Sequence, residues 1–418
     1  MVAALSALEQ DFISTHLSAD VRSLLLRAQP ADLNIKKVVV QIAARQKARE
    51  KLPAWYANDK LIFPPALSVE QASSERTAQY KASLVSGRLL VDLTGGLGVD
   101  TWAFAQRVEQ VIYVERNPEL AALAAHNLPL MGAANVAVYT ANSLDLLNDD
   151  LREVNVSDQP AKPTGFLSGP ADWIYLDPHR RNDQGGKVVR LEDCEPDVTQ
   201  PEVVSTLLRK SAQILVKASP LLDIDAAVRQ LAGTVKSIHV VAVQGEVKEV
   251  LFMLGNQLTT KETVTVNAMN LFPDRIVALR YVWGDEARAD VNFGNPQQYL
   301  YEPNAAVLKA GAFRVVAARY GLTKLAPNSH LYTSHELRTD FPGRIFRLQD
   351  AIKPDARVLK TILPDRKANL TVRNFPQSVA ELRKKLNLRE GGDSYILATT
   401  LLNGDKRLLI TQKVERTY

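Results

Sequence analysis

The sequence predicts an α/β protein. A doubly wound sheet of seven strands fills the middle of the chain, with a helical region before it and small α+β units after it. From Leu89 onward, short β-rich runs alternate with helical segments. The runs are "LLVDL", "QVIYVE", "VAVYTA", "DWIYLD", "ILVKAS", "SIHVVAV" and "VKEVLFML", and helices between the first six imply parallel crossovers. Only "QGE" separates the last two, so they form an antiparallel hairpin and the seventh strand is a reversed edge. The amino-terminal stretches "LSALEQDFISTHL", "ADVRSLLLRAQP" and "IKKVVVQIAARQKAREKL" carry apolar residues three and four apart, the helical period. Past Leu258 the rhythm changes. "RIVALRYVW", "SYILATTLL" and "KRLLITQKV" read as antiparallel strands, with "SVAELRKKL" as an amphipathic helix among them.

At 418 residues the chain is long enough for two to four domains, and 46% hydrophobic with 23% charged residues is ordinary globular composition. No apolar run approaches the ~18 residues of a membrane span and no signal-peptide pattern opens the chain, so no membrane partner and a cytoplasmic location are expected. The single cysteine, Cys194, excludes disulfides within the chain and a cysteine-rich zinc site. Six histidines show no ligand spacing, and no metal is expected. Charge is distributed unevenly. Tyr301 to Tyr418 holds 21 Lys and Arg against 11 Asp and Glu, a balance of +10 in a chain of net +5, so the remainder carries −5. A basic carboxyl-terminal third on a mildly acidic body suits a module that holds a polyanion.

The turn after the first strand reads Asp92-Leu93-Thr94-Gly95-Gly96-Leu97-Gly98. In a doubly wound sheet that turn lies beside the switch point where ligands bind. Two ligands compete for it. A dinucleotide turn wants G-x-G-x-x-G, but counting from Gly96 the sixth position is Thr101. An S-adenosylmethionine (AdoMet) turn wants D-x-[GT]-x-G-x-G, which Asp92, Thr94, Gly96 and Gly98 fit. Glu115 closes the second strand, where a carboxylate can accept both ribose hydroxyls. Asn142 and Ser143 follow the third, where an adenine would lie. Just before the first strand, Ser73, Ser74, Thr77, Tyr80 and Lys81 could reach the methionine carboxylate, with Lys81 as charge partner; an amphipathic helix with a polar face is the competing reading.

The fourth strand ends "WIYLDPHRR". Methyl transfer from a sulfonium is an in-line displacement, so catalysis is chiefly positioning. An exocyclic base amine is a poor nucleophile, and two acceptors aimed at it would turn its lone pair on the methyl carbon. The Asp177 carboxylate and the Pro178 carbonyl are the candidates. His179, Arg180 and Arg181 would contact substrate, the arginines through phosphate.

"DLTGGLGVDT", "YVERNPELAALAAHNL" and "YLDPHRR" resemble class I AdoMet-dependent methyltransferases. "EQASSERTAQYKASL", "RLEDCEPD", "ILVKASPLLD", "YLYEPNAAVLKAGAF", "NSHLYTS", "FPGRIF" and "ANLTVRNFPQSVAELRKKL" resemble more closely a bacterial methyltransferase family with a ferredoxin-like segment and a carboxyl-terminal THUMP-like domain. The resemblance runs from about Ile42 to the end. It implies a Rossmann-like domain over residues 66–258, after a helical region at 1–65, then a ferredoxin-like segment at 259–335 and a THUMP-like domain at 336–418. THUMP domains in other RNA enzymes hold the tRNA acceptor end, so the resemblance implies RNA, tRNA or rRNA, as partner. Arg373, Arg383, Lys384 and Lys385 are candidate RNA contacts. In amino-methylating enzymes the pattern is usually [DN]-P-P-[YFW]; here His179 and Arg180 replace the second proline and the aromatic. The expected function is AdoMet-dependent methylation of RNA, most simply at a base amine. The alternatives are a small-molecule or protein methyltransferase, or an inactive RNA-binding protein. Cys194 reads as a buried or loop cysteine, not a nucleophile.

Overall fold

The computed structural model describes residues 5–26, 32–143, 170–180, 190–231 and 233–415. The chain forms two compact units, one from the chain up to Lys236 with Val250–Thr259, the other from Ser237–Glu249 with everything from Thr260 on.

The first unit begins with the expected helices, Ala7–Thr15, Val21–Leu26 and Ile35–Lys51. Ser6 and Glu9 form a reciprocal capping box at the first. Ile13, Leu24, Val38 and Ile42 are the apolar face that the helical spacing implied, and all are buried together. The strands up to Gly255, of which β8 belongs mainly to the second unit, are β1 (Gly87–Asp92), β2 (Val108–Glu115), β3 (Val136–Thr140), β4 (Trp173–Leu176), the short β5 (His179–Arg180) and β6 (Cys194–Glu195), β7 (Gln213–Ala218), β8 (Val235–Val243) and β9 (Glu246–Gly255). Within this unit the order is β3-β2-β1-β4-β7-β9. The first five are parallel and β9 runs antiparallel to β7 as expected, but in the strand order β8 follows β9, so the reversed strand is not an edge. Buried on both faces, β1 and β4 can be almost continuously apolar (Leu90, Val91; Trp173 to Leu176). The chain leaves β1 toward β2 and β3 and returns on its other side as β4. That reversal is the switch point, and it delivers Asp92, Glu115 and Asp177 to one end of the sheet.

Gln244 and Gly245 between β8 and β9 have φ of 51° and 89°, as a primed two-residue turn requires. Seven strands is nonetheless too few. In the second unit β8 pairs in parallel with β10 (Thr265–Leu271), which pairs antiparallel with β11 (Ile276–Val282). In sequence, two asparagines break the apolar run of β10. Both are buried and satisfied: Asn267 Oδ1 accepts from Arg280 Nε at 2.7 Å and Asn270 Oδ1 from Gly245 N at 3.0 Å.

The second unit also holds β12 (Tyr299–Pro303), β13 (Thr323–Lys324), β14 (Tyr332–Ser334), β15 (Gly343–Ile352), β16 (Asn369–Arg373), β17 (Ser394–Thr400) and β18 (Lys406–Lys413). Their order is β13-β14-β12-β15-β18-β17-β16. Alternation along β17 and β18 sends Ile396, Ala398, Leu408 and Ile410 toward Leu359, Leu382 and Leu386 of the helices Ala356–Ile362 and Val379–Leu386. Leu397 and Leu409 pack on the opposite face with Leu300, Leu331 and Phe346.

Candidate active site

The first unit contains a cavity of about 400 Å³ at the carboxyl ends of its strands, within the range of small-molecule sites. Asp92, Thr94, Gly96, Gly98, Glu115, Asn142, Ser143, Asp177 and His179, singled out from sequence, all line it.

The glycine turn is built by three different requirements. Gly96 and Gly98 have φ of 54° and 87°, a conformation that strongly favours glycine. Gly95 answers to packing, since a Cβ there would lie 2.1 Å from the ring of buried Tyr113. The Tyr113 hydroxyl then donates to the Gly96 carbonyl at 2.6 Å, and Gly98 N donates to Gly95 O at 2.9 Å. Of the three, Gly96 has the most room, since a Cβ there would meet only Thr94 O, at 3.9 Å.

The Asp92 side chain is fully buried. Its Oδ1 accepts from Thr94 N at 3.0 Å and its Oδ2 from the Thr101 hydroxyl at 2.5 Å. Burial pushes its pKa up to about 7, assisted by the nearby Asp100 and Asp177 charges and opposed by those two hydrogen bonds. Asp92 therefore shapes the turn from beneath. Glu115 clamps it from the other strand, with Oε2 accepting from Gly96 N at 2.9 Å and Oε1 from Asn117 N at 2.8 Å. Each oxygen keeps acceptor capacity toward the cavity.

Asp177 sits where β4 ends. Its N–H donates to Thr94 Oγ1 at 2.7 Å, and Lys217 of β7 donates to its Oδ2 at 2.5 Å. Pro178, next along, is not among the cavity-lining residues. His179 and Arg180 form β5, whose backbone pairs with Cys194 and Glu195 of β6. Arg116 contacts His179 Nε2 at 2.5 Å and Glu195 at 3.5 Å, so β2, β5 and β6 share one polar edge. Arg181 lies outside the described residues. Cys194 is buried, its thiol donating to Arg190 O at 3.4 Å.

Tyr80 and Lys81 are not brought to the cavity. Lys81 is fully buried in the helix Glu75–Ala82, its Nζ 3.1 Å from Asp100 Oδ1 and 3.0 Å from Ser73 Oγ. The residues it holds do line the cavity. Asp100 Oδ2 also accepts from Ser73 Oγ and the Tyr175 hydroxyl, both at 2.8 Å. Burial alone would raise the Asp100 pKa; Lys81 and Lys217, with hydrogen bonds from Tyr175 and Ser73, hold it below the usual carboxylate value. Sequence reasoning missed Asp100, Tyr175 and Lys217. Lys217 did carry a signal: a lysine inside the apolar run "ILVKA" must either snorkel or find a partner.

Five carboxylates line the cavity (Asp92, Asp100, Glu115, Asp177, Glu195), against Arg116 as the one arginine or lysine among the described lining residues. Lys217 balances Asp177 and Lys81 balances Asp100 from outside the lining, so the surplus is Glu115 and Glu195 against Arg116 with Asp92 beneath, a mildly acidic field that suits a ligand of net charge +1. AdoMet, a sulfonium with an ammonium group, meets it on charge. The room at Gly96 and the remaining acceptor capacity of Glu115 meet it on shape and hydrogen-bond pattern.

Comparison with known proteins gives a consistent result. Residues 299–342 match a ferredoxin-like domain family and residues 343–413 a THUMP domain-like family. A Porphyromonas gingivalis W83 protein of known crystal structure, an inferred methyltransferase, is 34% identical with a TM-score of 0.85, covering 98% of each chain. Two Mycobacterium tuberculosis proteins, from strains CDC 1551 and H37Rv, are 22% identical over 364 residues, 85% of this chain and 88% of theirs. Both are named as uncharacterized S-adenosylmethionine-dependent methyltransferases.

Proposed function

The chain belongs to the methyltransferase family that includes the P. gingivalis protein, and from that premise we propose that it is an AdoMet-dependent RNA methyltransferase. The observation that carries the cofactor is the acidic cavity around the glycine turn, with Glu115 bonded to the Gly96 amide. Glu115 would hold the ribose diol with its remaining acceptor capacity, while Asn142 and Ser143 lie at the adenine end. The amide of Leu97 would take the methionine carboxylate, since Ser73 gives its proton to Asp100 and the amides of Thr94, Gly95, Gly96 and Gly98 are bonded within the fold; Lys81 acts through Asp100 and Ser73, which it holds in place. When bound, AdoMet supplies an electrophilic methyl group on sulfur.

The chain's own contribution is to place the acceptor and exclude water. Lys217 fixes the Asp177 carboxylate through Oδ2 and balances its charge, leaving Oδ1 to accept from the nucleophile. A base amine is the acceptor this suits best, with Asp177 taking up the proton released on transfer. RNA is supported by the basic carboxyl-terminal third, by the THUMP-like match and by the exposed Lys384 and Lys385. A small-molecule or protein acceptor is the second reading. It is favoured by the acidic cavity and by the absence of an aromatic in "DPHRR" on which a flipped base would stack.

The test uses purified protein, methyl-labelled AdoMet and total RNA from cells lacking the gene, followed by nucleoside mass spectrometry. One labelled nucleoside supports RNA and names the atom. AdoMet binding without labelled RNA moves the reading to the other acceptors. Failure to bind AdoMet overturns it.

A further inference from the structure

The second unit contains a cavity of about 560 Å³ that the methyl-transfer reading leaves without a use. Its floor is Glu302 on β12, whose side chain is 2% exposed. Two arginines from different strands converge on that carboxylate. Arg344 of β15 donates to Oε2 from Nε at 2.8 Å and also through Nη2. Arg373 of β16 donates to Oε1 from Nε at 3.1 Å, with its Nη2 3.0 Å from the same oxygen. Arg344 is further fixed by Thr371 Oγ1 at 3.2 Å and by the Phe346 ring 5.5 Å below it. Both guanidiniums therefore have set orientations, and each keeps its Nη1 directed away from Glu302. Arg344 and Arg373 are 45% and 35% exposed, so those donors are accessible.

Arg275 and Lys413 also line the cavity. Four cations against the two lining carboxylates, Glu302 and Glu415, leave a formal balance of +2, or +1 once Asp274, which accepts from Arg275 Nη1 at 2.8 Å, is counted. Asn304 adds a buried Nδ2 with no acceptor among the described residues, while its Oδ1 accepts from Val307 N at 3.0 Å. One wall is Phe272, with the Arg275 guanidinium 4.9 Å from its ring centre. Fixed guanidinium forks, a point charge and a spare amide donor complement a phosphate dianion better than a monoanion. The aromatic wall and the volume leave room for a nucleoside attached to it.

We propose that this cavity is a binding site for a nucleoside monophosphate group, with the phosphate on Arg344, Arg373 and Lys413. The group could belong to a free nucleotide or to the phosphorylated end of a nucleic acid strand. The proposal does not depend on AdoMet use or on methyl transfer.

The test is titration calorimetry on the full-length protein at low salt. The probes are AMP, adenosine, and a ten-nucleotide RNA with and without a 5′ phosphate. AMP binding with at least tenfold weaker binding of adenosine identifies the free nucleotide. Binding by the RNA only when it bears the 5′ phosphate identifies the strand end. Lys413 is exposed and makes no described ion pair, so Lys413→Gln will leave the fold intact and weaken the binding about tenfold. Arg373→Gln should weaken it further, with an unchanged melting temperature required for that variant to count. The proposal fails if neither phosphate probe binds, if the 5′ phosphate makes no difference to RNA and AMP binds no better than adenosine, or if Lys413→Gln binds as wild type. AdoMet affinity measured on the same samples separates this result from the methyltransferase reading.

Discussion

The two cavities of this molecule are organised alike and charged oppositely. Each is built over a buried carboxylate, Asp92 in one and Glu302 in the other. Asp92 is satisfied by a hydroxyl and a backbone amide, which bring no charge, and with Asp100 and Asp177 balanced by Lys81 and Lys217 the field is set by Glu115 and Glu195 against Arg116. Glu302 is satisfied by two guanidiniums, which overcompensate it. What dresses the organising acid thus decides the sign of each site. The chain's net charge of +5 decides neither.

The comparison can be broken most severely at Asp177. Asp177→Ala should lower kcat by about 10²–10⁴-fold, the usual worth of a positioned proton acceptor, with AdoMet affinity nearly unchanged and AMP binding untouched. Full activity in a labelled-methyl assay would remove Asp177 from the reaction. Next is Glu115→Ala, expected to weaken AdoMet by about 10–100-fold, the loss of charge-assisted hydrogen bonds of about 1.5–3 kcal/mol. Equilibrium dialysis with an unchanged Kd would refute the ribose role. Gly95→Ala sets a methyl against the Tyr113 ring and should cost about 1–3 kcal/mol, read as a lower denaturation midpoint.

A subtler test uses pH. The Asp92 carboxyl titrates near 7 in the fold and near 4 in an unfolded chain. Between those values the folded state binds more protons, so this group's contribution to stability falls as pH rises from about 4 to about 7. Melting curves of Asp92→Asn should lose that slope; an identical slope would mean another group causes it. Smallest are Lys384→Gln and Lys385→Gln. Each should reduce the slope of log affinity for RNA against log salt by about 1, and an unaltered slope would place RNA elsewhere.

Much of the first cavity was legible because strand ends are legible. Asp92 and Glu115 each close an apolar run, and Asp177 follows one, so a doubly wound order brings all three to one end without further information. Lys217 and Asp100 were not, because their value lies in which strand or helix faces which. Lys81 was misplaced for a related reason. On a helical wheel it belongs to a polar face and would be solvated, yet Asp100 and Ser73 let that face be buried. Arg373 stood among candidate RNA contacts, but its partner Glu302 lies 71 residues away. No local pattern reports a pairing at that separation.

The bond from the Asp177 amide to Thr94 Oγ1 has one last consequence. Under the proposed function Thr94 would belong to the turn under the cofactor and Asp177 to the loop beneath the acceptor, and the bond would join the two. A ligand that settles the turn would then also settle the loop. Linkage requires the favour to be returned in equal measure. Cofactor and acceptor would then bind cooperatively, and a loaded turn would be the condition for a competent loop.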